Sequence, residues 1–535
     1  MNDLSGKGFR FFTRQAPTAA LLVSVLIISI CAILYELLIS TLSSYFLGSS
    51  IFHFSLVIGL FLSSMGIGSY LSRYVKGDLI RWFIGFEILL SLIGGLSALL
   101  LHAAFAFTSY YYGVMVALIV TLGSLIGLEI PILTRIVRRY ENLRDAMAKV
   151  LSFDYLGALF ASLLFPLLLL PVLGIMRTAF AVGLLNLCVA ALNIRLFYPD
   201  LLRPGRLMGY AAAVCVLLVA GVLASEKVVS VFDSFLYRDP IVFSRQTPWQ
   251  QITVTRWNKD TRLYLDGNLQ FSSADEHRYH EPLVHVPMLL APAREQVLLL
   301  GGGDGLAVRE MLKYADVQQI TVVDLDPAIT QIASTHSLFT GINQHSLSDP
   351  RVKIVNQDAY QFIEKDTLRY DVIVIDLPDP NNTSLGKLYS AEFYRMLSRR
   401  MAAGGIAVTQ ATSPYYARKA YWCIGHTLEE VFPVTVPYGV YVPSFGFWGF
   451  HLFVQENGRF PKNPDPQQMK EALLLRCTDV LAARKDSLGL RYLDAEILRA
   501  MFHLDSDMAE EPTDINRLDS QRLVTYYEES WNAWK

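Results

Sequence analysis

Seven long apolar runs in the first 225 residues constrain the fold more than any other feature of the chain. A helix of about 20 apolar residues spans the hydrocarbon core of a bilayer. The runs lie near residues 18–43, 51–72, 82–104, 110–133, 150–173, 177–197 and 207–225. The first run is too long, and too closely followed by others, to be a cleaved signal peptide. The sequence therefore predicts a membrane α-helical bundle of about seven helices.

Four acidic residues interrupt these runs: Glu36, Glu87, Glu129 and Asp154. An ionisable group inside a bilayer costs about 2.5–3.5 kcal/mol on insertion scales, so each is a candidate functional residue. Packing at helix ends, or extension of the side chain toward lipid headgroups, explains the same positions. A pore or carrier role and a structural role both stay open.

The character of the sequence changes near Ser230, where alternating patterns such as QITVTRW and RLYLDG indicate strands. The 535 residues are 53% hydrophobic and 18% charged, which fits one membrane half and one soluble half. A net charge of −2 indicates no nucleic-acid partner, and five cysteines without CxxC pairs indicate no metal site. We expect a transmembrane domain at 1–228, a small β-strand domain at 229–290, a Rossmann-like α/β domain of the methyltransferase type at 291–460 and a helical tail at 461–535.

A glycine turn in the second half predicts a nucleoside site. The stretch QVLLLGGGDGLAVREML places a buried strand, the turn around Gly301 and Gly303, and the start of a helix in sequence. The strand ITVVDLD follows, and its Asp324 lies about 20 residues after the glycines, where a carboxylate can accept hydrogen bonds from ribose. Asp304 in the turn would repel a pyrophosphate. A cationic nucleoside of the S-adenosylmethionine type therefore fits better than a dinucleotide.

Two further strands end in acidic residues. VKIVNQDAY places Asp358 as an acceptor for an adenine amino group, and YDVIVIDLPDP delivers Asp376 and Asp379. Since the carboxyl ends of parallel strands form the crevice of an open α/β sheet, we expect Asp376, Asp379 and Asp304 to converge. Together they would attract a cationic substrate and could take a proton from an ammonium group.

These motifs, taken in order, resemble the polyamine aminopropyltransferases, the spermidine synthase family. The resemblance extends from about Gln250 to Phe453 and rests on WQQI, LDGNLQ, RYHEPLVHVP and GGGDG followed by Arg-Glu. The whole chain resembles the bacterial subgroup that carries a multi-span N-terminal extension. The resemblance implies aminopropyl transfer from decarboxylated S-adenosylmethionine, as a co-substrate rather than a prosthetic group, to putrescine or another diamine.

The resemblance also assigns roles to individual residues. The residues implied to hold the adenosine part of the donor are Gln250, Gln270, Gly301, Gly303, Asp324, Asp358 and Ala359. Asp304 is implied to bind the aminopropyl ammonium, and Asp376 to be the general base. The side chains implied to surround the acceptor amine are Tyr279, His280, Asp379 and Phe445. An alkylamine with a pKa near about 10 is protonated at neutral pH, so a positioned carboxylate must remove a proton before attack.

The sequence departs from the family pattern around the acceptor. DLPDPNNTSLG has Leu377 and Pro378 where the family has serines and lacks its Gly-Pro-Ala, and Phe445 stands about where many relatives have a tyrosine. The acceptor is therefore left open. Two other functions are weighed beside transfer: an S-adenosylmethionine-dependent methyltransferase, and a membrane transporter or sensor whose soluble half binds a nucleoside or polyamine. The family resemblance further implies self-association into a homo-oligomer.

Basic residues mark alternate loops of the first half, and two arguments about its orientation oppose each other. Lys and Arg cluster before the first run and after the second, fourth and sixth runs. The positive-inside rule then places the N-terminus in the cytoplasm of a bacterial inner membrane, and seven crossings place the second half outside. The donor is made in the cytosol, which favours a cytoplasmic active site. We expect the cytoplasmic side, which requires an even number of crossings.

Overall fold

The computed structural model describes residues 5–47, 50–108, 110–140, 142–237, 239–432, 434–455 and 466–534. The chain forms two compact units, Met1–Asp239 and Pro240–Lys535. The boundary between the units, at 239/240, lies later in the sequence than the expected boundary at 228/229, because the last helix of the first unit continues to Leu236. The expected start of the tail at 461 lies outside the described residues.

The described part of the first unit contains helices and no strand. Its helices are α1 (Ser5–Leu47), α2 (Ser50–Leu71), α3 (Leu79–Phe107), α4 (Tyr111–Val137), α5 (Leu143–Leu164), α6 (Leu170–Leu196) and α7 (Pro204–Leu236). Asp78 caps α3 by accepting from the Arg81 N–H, and Asn142 caps α5 in the same way. Large apolar side chains such as Leu167, Val216 and Leu223 are exposed on its outer surface. Helices apolar on both the inner and the outer face are typical of a bundle surrounded by lipid.

Six helical stretches of the described chain are long and apolar enough to cross a membrane, one fewer than the seven expected. The difference lies in Leu143–Leu196, a 54-residue stretch that contains two of the expected runs. This stretch leaves helical geometry at Gly174 (φ 69°, ψ 174°), where the Thr178 hydroxyl donates to the Leu169 carbonyl oxygen at 3.3 Å. Because nine residues of straight helix span about 13.5 Å, the chain turns back at Gly174. The stretch therefore consists of two helical segments.

The second unit begins with a small antiparallel sheet. Its strands, in sequence and spatial order, are β1 (Ile241–Gln246), β2 (Gln251–Trp257), β3 (Asp260–Leu265) and β4 (Asn268–Ser272). Leu263 lies opposite Val254 and Phe271, so the three side chains build one buried face. The stretch QITVTRW forms β2 and RLYLDG begins in β3, whereas residues 277–290 of the expected β-strand domain form a helix.

A seven-stranded mixed sheet follows. Its strands are β5 (Gln296–Gly301), β6 (Gln319–Asp324), β7 (Val352–Asn356), β8 (Tyr370–Asp376), β9 (Met401–Gln410), β10 (Val434–Val442) and β11 (Gly446–Val454). The spatial order is β10-β11-β9-β8-β5-β6-β7, and β5 to β9 run parallel. The strand order reverses between β5 and β8, which is where open α/β sheets bind their ligands. The sheet fits the expected Rossmann-like domain.

Helices cover this sheet and continue into the C-terminal tail. They are α8 (His277–Leu290), α9 (Leu306–Met311), α10 (Pro327–Thr335), α11 (Ser337–Asn343), α12 (Ala359–Lys365), α13 (Thr383–Gly386), α14 (Ala391–Ser398), α15 (Arg418–Glu429), α16 (Pro466–Leu488), α17 (Ala495–Met501) and α18 (Arg522–Asn532). The tail packs within the second unit. The buried carboxylate of Glu281 accepts from the backbone N–H groups of Arg491, Tyr492 and Leu493 at 2.7–2.9 Å.

Candidate active site

The glycine turn joins β5 to α9 and lies against the end of β8. Gly301 has φ +82°, and a β-carbon there would clash with the carbonyl oxygen of Asp376. A β-carbon at Gly303 would clash with the Asp324 carboxylate. Asp304 accepts from the Leu306 N–H at 2.9 Å, and burial raises its pKa. The turn therefore needs bare backbone to place the carboxylates of Asp304, Asp324 and Asp376 around one crevice.

Asp324, at the end of β6, has both oxygens fixed by backbone donors. Oδ2 accepts from the Gly303 N–H at 3.1 Å and Oδ1 from the Asp326 N–H at 2.9 Å. Burial raises the pKa of Asp324 to about 6, although these two N–H groups lower it. A carboxylate oxygen can accept more than one hydrogen bond, so the group is oriented and can still bind hydroxyl donors of a ribose.

Of the other residues expected at the adenosine, Gln250 and Asp358 lie at the same edge of the sheet, beside the ends of β6 and β7. Gln250 donates to Asp326 at 3.1 Å, whereas the Gln270 side chain donates to the Asn268 carbonyl. Asp358 caps α12 through the Gln361 N–H and also accepts from Lys387 Nζ at 2.8 Å, a pairing the sequence did not suggest. Ala359 is buried at the first position of α12. The proposed adenine contact of Asp358 must therefore use its remaining lone pairs.

Asp376 ends β8 at the centre of the crevice. The Tyr279 hydroxyl, from α8, donates to its Oδ1 at 2.6 Å. Burial raises the pKa of Asp376 to about 6; positively charged His280 opposes this rise and neighbouring Asp304 adds to it. The Tyr279 hydrogen bond lowers the pKa. The carboxyl group is therefore ionised at neutral pH and more basic than an ordinary aspartate.

His280 lies beside these acids as a positive charge. Burial alone would lower its pKa, but the Glu276 carboxylate, which accepts from Nδ1 at 3.0 Å, outweighs burial and raises the pKa to about 9. Arg309 holds Glu276 through two hydrogen bonds of 3.0 and 2.9 Å. All three side chains are buried. The network keeps one cation next to Asp304 and Asp376.

Asp379 follows in the loop after β8. Its Oδ2 accepts from the Thr412 hydroxyl at 3.1 Å and from the Tyr527 hydroxyl at 2.9 Å. Its Oδ1 is buried without a hydrogen-bond partner among the described residues. Burial raises the pKa of Asp379 to about 6, against the hydrogen bonds that lower it. One oxygen is thus anchored by the protein, and the other is left for a donor such as an ammonium group.

The backbone of the loop that carries Asp379 is held by two buried side chains. The Tyr389 hydroxyl donates to the carbonyl oxygens of Leu377 and Pro378, and the Gln410 amide donates to Leu377 O and Tyr389 Oη. Tyr389 and Gln410 are buried. The two residues where the family has serines are therefore fixed through their backbone.

Phe445 contributes an aromatic wall to the crevice. Its ring meets the Tyr279 ring edge-on, with centroids 5.9 Å apart. The turn that carries it is pinned because Asp275 accepts from the Ser444 N–H at 2.7 Å and from its hydroxyl at 3.0 Å. Phe445 therefore offers apolar surface, and no hydroxyl, beside the proposed base.

The comparison with known proteins decides the family. Residues 276–463 match the spermine/spermidine synthase domain family. A protein of Leptospira interrogans named polyamine aminopropyltransferase is 43% identical over 96% of this chain and 99% of its own length. The chain belongs to the polyamine aminopropyltransferase family. The sequence-based prediction of the family and of an enzyme is thereby confirmed.

A second relative agrees with this assignment, and one solved structure shows a weaker similarity. Polyamine aminopropyltransferase 2 of Ralstonia nicotianae is 43% identical over 96% of this aminopropyltransferase and 98% of its own length. A solved structure of spermidine synthase in complex with the transition-state analogue AdoDATO is 26% identical, with a TM-score of 0.43, over 50% of this chain and 85% of that one. The methyltransferase and transporter alternatives are not favoured.

Sequence reasoning missed several groups in the aminopropyltransferase site. Thr412, Tyr389 and Gln410 lie in segments without a motif, and Tyr527 lies in the tail, 148 residues from the Asp379 it contacts. Glu276 carried a weak signal, since it stands four residues before His280 and could face it on a helix. A helix that supplies a hydroxyl from the far end of the chain leaves no such signal.

Proposed function

We propose that this aminopropyltransferase moves the aminopropyl group of decarboxylated S-adenosylmethionine to a primary amine such as putrescine. The nitrogen lone pair attacks the methylene carbon bound to the sulfonium. As the new C–N bond forms, the C–S bond breaks and its electron pair stays on sulfur, which gives neutral methylthioadenosine. Asp376 takes one proton from the ammonium form of the acceptor before the attack, which frees the lone pair, and the other product is spermidine or a related polyamine in its protonated form.

The observation that carries this proposal is the position of Asp376 between Tyr279 and the glycine turn. Tyr279 occupies Oδ1, whereas Oδ2 faces the turn, 3.4 Å from where a β-carbon at Gly302 would lie. A base must lie about 2.6–3.2 Å from the atom it deprotonates. An amine placed over the turn meets Oδ2 of Asp376, a carboxylate whose pKa of about 6 leaves it ionised at neutral pH.

Asp304 and Asp379 would bind the two remaining ammonium groups of the reactants. The donor carries a primary ammonium on its aminopropyl arm, and a diamine carries a second one at its distal end. Asp304 lies in the glycine turn next to Asp376, and Asp379 presents a buried oxygen without a partner in the described chain. Each carboxylate would neutralise one cation and orient the attack in line. The positive charge of His280 would favour the ionised forms of Asp304 and Asp376, so that the two do not share a proton at neutral pH.

The tail and Phe445 would set the acceptor. Tyr527 closes the site on the Asp379 side, and Phe445 lines it on the Tyr279 side. An apolar wall between two charged ends suits the methylene chain of a diamine. We propose a linear diamine as the acceptor class.

One assay separates this function from its rivals. Purified full-length protein is incubated with decarboxylated S-adenosylmethionine and a panel of linear diamines, and the product masses are read. We expect a mass increase of one aminopropyl group on the amine, together with stoichiometric methylthioadenosine. Transfer of a labelled methyl group from S-adenosylmethionine, or amine binding without turnover, would overturn the proposal.

We further propose that the helical unit spans a bacterial inner membrane. The six apolar stretches and their exposed apolar side chains support this proposal. The location of the second unit follows from the number of crossings. An even number keeps it on the cytoplasmic side, where the donor is made; two crossings by the stretch that turns at Gly174 put it on the other side. The cytoplasmic location stays a prediction.

A further inference from the structure

The helical unit buries two acidic side chains for which the transfer reaction has no use. Glu87 in α3 and Glu129 in α4 have no exposed surface, and their carboxyl groups lie next to each other. The Glu87 carboxyl group lies within reach of the Glu129 carboxyl group and the Asn186 amide, and the four carboxyl oxygens accept from no other group of the described chain. Two adjacent buried carboxylates cannot both stay ionised without a counter-charge. The pair therefore calls for protons or a cation.

Two other helices bring polar atoms to the same place. Asn186 in α6 lies beside Glu87, and Tyr35 in α1 interacts with both glutamates. Both side chains are fully buried, and Asn186 Oδ1 and Tyr35 Oη also lack a partner among the residues described. The amide orientation is fixed, because Asn186 Nδ2 donates at 3.2 Å to the Glu87 backbone oxygen, which can only accept. The Asn186 carbonyl oxygen is therefore an acceptor to which no described group donates.

The balance of donors and acceptors indicates what is missing. The four carboxyl oxygens and the Asn186 carbonyl accept hydrogen bonds, whereas Tyr35 supplies the single hydroxyl donor of this group. A divalent metal ion would take six or more oxygens, and the described residues hold no group of three His, Cys, Asp or Glu fit for a metal. A primary ammonium group supplies one positive charge and three N–H donors. It matches the shortage in both charge and hydrogen bonds.

We propose that Glu87, Glu129, Asn186 and Tyr35 form a second amine site, inside the helical unit, that takes the primary ammonium group of an alkylamine. One ionised carboxylate balances the ammonium charge, and the second carboxyl group stays protonated and donates. The choice of an amine over other cations rests on the proposed function, because alkylamines are the substrate class of the second unit. The site lies wholly within the helical unit, so it is separate from the transfer site.

Counting bound amines tests this site. Full-length protein in nanodiscs is titrated with radiolabelled putrescine while methylthioadenosine is present. We expect two amines per wild-type chain, and one in Glu87→Gln/Glu129→Gln, in which transferase activity is unchanged. Asp379→Asn should lose the other amine. Glu226→Gln, which changes an exposed glutamate of the same unit, should keep both. Loss of transfer with two amines bound would contradict only the proposed function.

Three results would overturn the second site: one amine per wild-type chain, a second amine that survives the double change, or displacement of that amine by equimolar sodium.

Thermal melting shows whether the variants are folded. Because glutamine amides supply the missing donors, the amine-free double variant should melt no lower than the wild type. The rise in Tm with putrescine that remains in Asp379→Asn should vanish when both glutamates are also changed. If the double variant unfolds, Tyr35→Phe should still weaken the second site about fivefold; unchanged affinity would contradict the proposal.

Discussion

The Tyr279 hydroxyl donates to Oδ1 of Asp376 at 2.6 Å, so the proposed base has one oxygen held by the protein and one turned toward the glycine turn. This hydrogen bond lowers the pKa of Asp376, which burial has raised to about 6. The contact thus sets both the direction and the basicity of the carboxylate.

The first prediction concerns pH. Transfer requires ionised Asp376, so kcat/KM should fall as pH drops through about 6 and should be level above it until another group titrates. Tyr279→Phe removes a hydrogen bond that favours the ionised form, and the acid limb should move to higher pH. Tyr438→Phe changes a buried tyrosine that donates to Pro282 O, and its acid limb should stay in place. A limb at the same pH in all three proteins would show that Tyr279 does not tune the base.

The second prediction concerns the tail. Tyr527→Phe removes a donor to Asp379 and should raise KM for the diamine about tenfold, since a hydrogen bond to a charged group contributes about 1.5 kcal/mol or more. KM for decarboxylated S-adenosylmethionine should not change. The neighbouring Tyr526→Phe is the matched control, because its hydroxyl donates to Asp514 instead. Equal rises in both KM values would mean that the tail acts on the whole site rather than on the acceptor.

The third prediction separates the two units. The second unit contains both sheets and every residue assigned to the transfer site, so a chain that begins at Pro240 should fold and bind methylthioadenosine. Affinity should be within about threefold of the full chain, measured by calorimetry. A folded truncated chain that fails to bind would place part of the donor site in the helical unit.

The fourth prediction concerns sidedness. A cysteine introduced at His503, whose side chain is exposed, reports the location of the second unit. In cells whose outer barrier is opened, a membrane-impermeant thiol reagent should not reach a cytoplasmic residue. Because the donor is made in the cytosol, we expect the introduced cysteine to be protected from the reagent. Rapid labelling would place the unit outside the cytoplasm, in agreement with the charge rule and seven crossings.

The sequence predicted the crevice because its chemistry follows from strand ends. Asp324 and Asp376 end recognisable buried strands, Asp304 lies in the turn after another, and the carboxyl ends of parallel strands meet at one edge. The convergence of their side chains could therefore be predicted without coordinates. Tyr279 and His280 were placed at the crevice only through the resemblance to the family. No rule comparable to the one for strand ends predicts which residues of a helix face a site.

The sequence could not predict contacts that depend on tertiary packing. Asp379 receives its hydrogen bonds from Thr412, which has φ +60°, and from Tyr527 at the opposite end of the unit. Neither residue belongs to a motif or to a periodic pattern that points at the site. The turn at Gly174, in contrast, falls between the apolar runs 150–173 and 177–197, which were predicted as separate spans from their composition alone.

The most direct test of the account is the turnover of Asp376→Asn. Asparagine keeps the size of the side chain and accepts from Tyr279, but it cannot take the proton of the attacking amine. We predict that transfer falls about 100-fold or more across pH 7 to 9, while methylthioadenosine still binds with near wild-type affinity. Wild-type turnover by Asp376→Asn over that range would contradict the assignment of Asp376 as the base and, with it, the mechanism proposed for the site.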